Sequence, residues 1–128
     1  MGNPSNPKQR IGTIGELLTQ IRLLEFGVEP AIPLIDSGND IIAVREDVVK
    51  YIQVKTRRYD KEKWRFKNLR KYHILVLIKL AENPSNLDQA KIYLLSKEEV
   101  AGRGSIGFNS IEEKYRLSQR RIDELFGR

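Results

Sequence analysis

The run from Tyr72 to Leu80, Tyr-His-Ile-Leu-Val-Leu-Ile-Lys-Leu, constrains the fold more than any other part of the sequence. It is the most hydrophobic stretch of the chain, rich in β-branched residues, and far shorter than the roughly 18 apolar residues that cross a bilayer. A segment of that length and composition is a central β-strand. Its neighbours fit a sheet. Val28 to Ile35 is an apolar run broken by Pro30 and Pro33, as in an edge or bent strand. Asp36 to Asp40 has turn composition, Ile41 to Val44 is a short apolar strand, and Glu46-Asp47 turns the chain into a strand from Val48 to Thr56. Lys91 to Leu95 is a further strand.

Helices frame these strands. Between Lys8 and Phe26, apolar residues recur at 11, 14, 17, 18, 21 and 24 and Gly27 follows as a stop, which predicts a helix. Ser96 and Glu99 form a capping-box signature for a short helix ending at Gly102. Ser118 caps a last helix with Ile122, Leu125 and Phe126 on one face. Gly102, Gly104 and Gly107 lack a phosphate-loop pattern and read as turns. The expected fold is α/β, a small mixed sheet flanked by helices, with residues 8–128 as one domain after a flexible lead-in over 1–7. No apolar signal core opens the chain, so a cytoplasmic protein without membrane contact is expected.

Several chemistries are excluded by composition. The 128 residues include no cysteine, so there is no disulfide framework and no thiolate ligand or nucleophile. His73 is the one histidine, which rules out a histidine-rich zinc site. A metal here would be held by oxygen, pointing to Mg²⁺ or Mn²⁺.

The net charge of +6 is concentrated. From Lys55 to Lys71 there are nine basic residues against Asp60 and Glu62, an excess larger than that of the whole chain. Tyr59, Trp64 and Phe66 are interleaved. A solvated loop is the bland reading. A nucleic-acid footprint explains the concentration better, with Arg57, Arg58, Lys61, Lys63, Arg65 and Lys67 as phosphate contacts. Trp64 and Phe66 alternate with Arg65, as in a ribbon with its aromatic face packed on the sheet, and base stacking is the lesser alternative.

The strand from Val48 to Thr56 carries two polar residues, Gln53 and Lys55, that share a face by alternation. If it forms a hairpin with Ile41 to Val44, paired residue numbers sum to 93, and Asp40 lies opposite Gln53. Cross-strand partners have β-carbons about 4.5–5.5 Å apart, so a carboxylate, an amide oxygen and an ammonium converge. An Asp40–Lys55 ion pair with Gln53 at the rim is the structural alternative.

Asp36-Ser-Gly-Asn-Asp40, then Ile-Ile-Ala-Val, then Tyr-Ile-Gln-Val-Lys-Thr56, resembles the active-site segment of the PD-(D/E)xK nucleases, which include restriction endonucleases and Holliday junction resolvases. Gly15-Glu16 on the preceding helix resembles the resolvase-like members, in which a helix glutamate joins the site. The resemblance covers residues 8–95 in the order of that fold. Gln53 stands where the family usually has an acid, as in an intron-homing (D/Q)xK branch.

What the resemblance implies is metal-dependent hydrolysis of DNA phosphodiesters. Asp40, Gln53 and the Val54 carbonyl would hold Mg²⁺, Lys55 would serve the attacking water or the phosphate charge, and Glu16 would hold a metal-bound water. A homodimer would place two sites on the two strands. Glu16 lies away from the Ile14-Leu18-Ile21 stripe, a position that points to solvent, although Leu23 shares its side. Asp36 is an alternative carboxylate, and His73 is read as structural. Two other readings stay open: a non-catalytic DNA-binding module, and a subunit interface that uses the same aromatics.

Overall fold

The computed structural model describes residues 6–34, 40–67, 69 and 71–127. Helix α1 spans Pro7–Glu25, one residue into the expected lead-in. Asn6 makes the difference: its side chain accepts from the Gln9 amide at 2.8 Å, Gln9 Oε1 accepts from the Asn6 amide at 3.0 Å, and Pro7 occupies the first turn, where its missing N–H is harmless. The rest of that lead-in, residues 1–5, lies outside the described residues, as does the turn at 35–39 with Asp36.

Five strands make the main sheet, in the order β1 (Glu29–Ala31), β2 (Ile41–Arg45), β3 (Val48–Arg57), β5 (Ile74–Lys79), β6 (Lys91–Ser96). The β3–β5 pair is parallel and the others antiparallel, so the sheet is mixed. Only three residues of the expected Val28–Ile35 strand form β1, which takes the edge position that Pro30 tolerates. The central run behaves as its composition demands, with Ile74 to Ile78 at most 1% exposed.

Its alternating side chains feed two cores. Ile74, Val76 and Ile78 join Ile52, Val54, Leu18 and Leu23 beneath α1 and the last helix, α3 (Gln119–Phe126), which contributes Ile122 and Phe126. Leu75 and Leu77 face the other way, toward Trp64, Phe66, Tyr93 and Leu95. That second face is covered by a two-stranded ribbon of β4 (Lys63–Arg65) and β7 (Ser105–Gly107), with Trp64 opposite Ile106. β7 is a correction to the reading of 102–107 as turns. Its three residues are too few to show a period, and it exists as a strand because β4 pairs with it. A short helix, α2 (Lys97–Val100), follows β6 with the expected capping box.

The buried side of α1 also departs from expectation. Gly15, Leu18, Thr19 and Leu23 face the sheet, while Leu17, Ile21 and Leu24 are 54%, 46% and 59% exposed. The helix is rolled so that its smallest residue meets β3. Among the described residues no helix is long and apolar enough to cross a membrane.

Candidate active site

The paired register of β2 and β3 stops one residue short of Asp40 and Gln53. Ile41 pairs with Ile52, and the ladder runs to Arg45 and Val48 around a two-residue turn in which Glu46 takes a left-handed φ of 55°. At Asp40 the ladder changes character. The Asp40 amide donates to the Ile52 carbonyl at 2.9 Å, but the Val54 N–H then donates to the Asp40 side chain, Oδ2, at 2.7 Å. A carboxylate thus takes the place that a backbone carbonyl would hold in a continuing ladder, and β2 and β3 part there. The Asp40 carboxylate turns into this fork instead of standing squarely on the Gln53 face, as plain alternation would have it.

Gln53 and Lys55 are in register with Leu75 and Leu77, so they stand on the ribbon face. Gln53 is 8% exposed. A strand residue directs its N–H and C=O to the same edge, so the Val54 carbonyl is aimed toward the edge where Asp40 sits. From the opposite face, α1 brings up Glu16, whose carboxyl is pushed above its ordinary range by burial and then by the negative charge of Asp40. Glu16 is half-buried, not turned to solvent. Lys55 is half-buried on β3.

Among the described residues no three His, Cys, Asp or Glu side chains group as a metal site. The oxygens carried by these residues are two carboxylates, on Glu16 and Asp40, and on β3 the Gln53 amide oxygen and the Val54 carbonyl. All are hard donors of the sort that suits Mg²⁺ or Mn²⁺. A cation between Glu16 and Asp40 would also offset the repulsion that raises Glu16.

His73 is committed elsewhere. Its Nδ1 accepts the Tyr51 N–H at 2.8 Å and its own amide donates to the Tyr51 carbonyl at 2.8 Å, so the ring extends the β3–β5 ladder by one position. The imidazole pKa is lowered by partial burial and by Lys50 and Lys97, which keeps Nδ1 an acceptor.

The basic window begins on β3 and continues along β4. Arg58, Lys61, Arg65 and Lys67 are exposed, whereas Arg57 and Lys63 are half-buried. Arg58 pairs with Asp60 at 3.4 Å. Two aromatics of the window are interior: Trp64 is 1% and Phe66 3% exposed, and the indole N–H donates to the Ile78 carbonyl at 2.9 Å. Neither is available to stack on a base, whereas Tyr59 is 40% exposed. Two cations that the sequence pattern does not reveal, Lys97 and Arg103, line a cleft with Lys67 and Lys71. They come from a distant part of the chain, so no local charge run announces them.

No family model matches the sequence, and no curated protein matches it. The fold is similar to the solved structure of a bacterial homing endonuclease, I-Ssp6803I, with a TM-score of 0.67 over 93% of this chain and 95% of that one, at 13% identity. That likeness establishes a shared architecture, a small mixed sheet flanked by helices.

Proposed function

We propose that this chain is a metal-dependent DNA endonuclease of the PD-(D/E)xK kind. The observation that carries the reading is the hydrogen bond from the Val54 N–H to the Asp40 carboxylate, which fixes that carboxylate, itself acting on Glu16, against the strand segment that bears Gln53 and Lys55. The fold shared with a homing endonuclease supports it, as does the excess of cations on the adjoining β3–β4 segment.

Asp40, the Gln53 amide oxygen and the Val54 carbonyl would hold Mg²⁺ or Mn²⁺, which when bound polarises the scissile phosphate. Glu16 would accept a hydrogen bond from water at the same place. Lys55 either orients and deprotonates the attacking water or offsets charge developing on the phosphate oxygens. Arg57, Arg58, Lys61, Lys63, Arg65 and Lys67 would neutralise backbone phosphates. Two copies related by a two-fold axis would cut both strands.

The test is cleavage of duplex and branched DNA with Mg²⁺ or Mn²⁺. Asp40→Ala and Lys55→Ala should each abolish it while leaving duplex binding intact. Equal cleavage by wild type and Asp40→Ala would end the proposal. One observation favours a second reading, a non-catalytic DNA-binding module: Gln53 is neutral where an acid would add charge to the cation site. Tight, salt-sensitive binding with no cleavage of any substrate would select that reading.

A further inference from the structure

We propose that the cleft between the ribbon and α2, lined by Lys67, Lys71, Lys97 and Arg103, is a second anchorage for DNA phosphates, continuous with the fork and not part of the β3–β4 segment alone. The inference rests on the DNA reading above and extends it to residues that no charge run contains.

The cleft measures about 690 Å³ and, among the described residues, its lining holds these four cations and no carboxylate. All four are exposed, and none takes part in an ion pair among the described residues. Four like charges around one depression repel each other, an arrangement that an anion relieves. Beneath them, Phe66, Tyr72 and Val100 form an apolar floor, 3%, 8% and 3% exposed, and low-dielectric walls focus the field of charges set around them. Glu98 acts on Tyr72 and lies outside the lining.

Backbone geometry holds the two new cations in place. The Lys97 amide donates to the His73 carbonyl at 2.9 Å, tying α2 to the start of β5. Gly102, at φ 83°, reverses the chain after α2, and the Arg103 amide donates to the Val100 carbonyl at 3.0 Å, which returns Arg103 to the same opening.

The cleft lies on the catalytic face. Phe66, Tyr72 and Val100 share a core with Leu75 and Leu77, the register partners of Gln53 and Lys55. His73 precedes Leu77 by four residues, which at a strand rise of about 3.3 Å sets the Lys97 tether about 13 Å from the Lys55 row. A duplex advances about 3.4 Å per phosphate along one strand, so one backbone passing the fork reaches the cleft in about four steps.

The experiment is fluorescence anisotropy of a labelled mixed-sequence DNA duplex, without metal, over a range of salt. The variants are Lys97→Glu/Arg103→Glu and the milder Lys97→Gln/Arg103→Gln, with folding checked by circular dichroism. Losing two phosphate contacts should lower the slope of log K against log salt by about 1.8. A slope equal to wild type in both variants overturns the cleft. The parallel variant Arg57→Glu/Arg58→Glu separates the two proposals. If it flattens the slope and the cleft variants do not, DNA binding stands and the cleft falls. If wild type shows no salt-dependent duplex binding, both fall.

Discussion

Thr56 Oγ1 fills the space that a side chain at Gly15 would need: a β-carbon there would lie 1.7 Å from it and 2.8 Å from Thr56 Cβ. Helix α1 therefore rests on β3 as closely as backbone permits, and the next residue, Glu16, is delivered to the fork. In an exposed helix interior, Gly→Ala stabilises by about 0.8–1 kcal/mol, because glycine gives up more backbone freedom on folding. At Gly15 the sign should invert. Gly15→Ala forces α1 off the sheet or Thr56 out of its rotamer, and a loss of about 1–3 kcal/mol is expected in urea denaturation. Gly12, where an added β-carbon would meet nothing within 4 Å, is the internal control, and Gly12→Ala should be neutral or stabilising. Equal behaviour of the two variants would show that α1 does not pack as described.

Glu16 supplies a pH test. Its folded carboxyl titrates above the ordinary 4.5, first because of burial and then because of Asp40. Between those two values the folded protein binds a proton that the unfolded chain does not, so stability falls as pH rises through the window and stays lowered at neutral pH. Glu16→Gln removes this penalty. Its melting temperature should exceed that of wild type at neutral pH and converge with it below pH 4.5. A difference of the same size at every pH would show that neither burial nor Asp40 raises the Glu16 carboxyl.

Much of this arrangement was legible in the sequence because it depends on local patterning. The hairpin register follows from a two-residue turn and an apolar alternation, so the pairing of Ile41 with Ile52 could be counted from Glu46-Asp47. What could not be counted was the fork. Whether the Val54 amide meets a backbone or a side-chain oxygen is decided by where β2 ends, and strand ends carry no periodic signal. The roll of α1 was also hidden, since Leu17, Ile21 and Leu24 look as fit for burial as Leu18 and Leu23 until the contact of Gly15 with Thr56 is known. Trp64 and Phe66 could be assigned to the interior from their alternation with Arg65, but their cover, β7, could not, because its three residues are strand only by pairing with β4.

His73 gives a second pH dependence of the opposite sign. Its folded pKa lies below the ordinary 6.5, so at mildly acid pH the unfolded chain binds a proton that the folded state refuses. The stability it contributes is complete above about pH 6.5 and is lost as pH falls toward the depressed value, because a protonated Nδ1 cannot accept the Tyr51 N–H. Wild type should lose stability on acidification just below pH 6.5, and His73→Ala, less stable throughout, should lack that step. Urea midpoints between pH 5 and 8 measure it. A step retained in His73→Ala would assign the titration to another group.

Gln53→Glu tests the cation site without relying on cleavage. The new carboxylate would sit in a nearly buried position beside the fork, where Asp40 already raises the Glu16 carboxyl. Without metal a third negative charge adds repulsion and desolvation, so the variant should melt below wild type at neutral pH and recover as acid neutralises the cluster. With Mg²⁺ or Mn²⁺ the order of response should reverse. An anionic oxygen binds a hard cation more strongly than an amide oxygen does, and a ligand that binds only the folded state stabilises by RT ln(1 + [L]/Kd), about 1.4 kcal/mol at ten times Kd. Melting curves should therefore respond to lower Mg²⁺ concentrations in Gln53→Glu than in wild type, and hardly at all in Asp40→Ala. If Gln53→Glu gains no more from Mg²⁺ than Asp40→Ala does, the fork is not where a cation binds, whatever nuclease activity the protein shows.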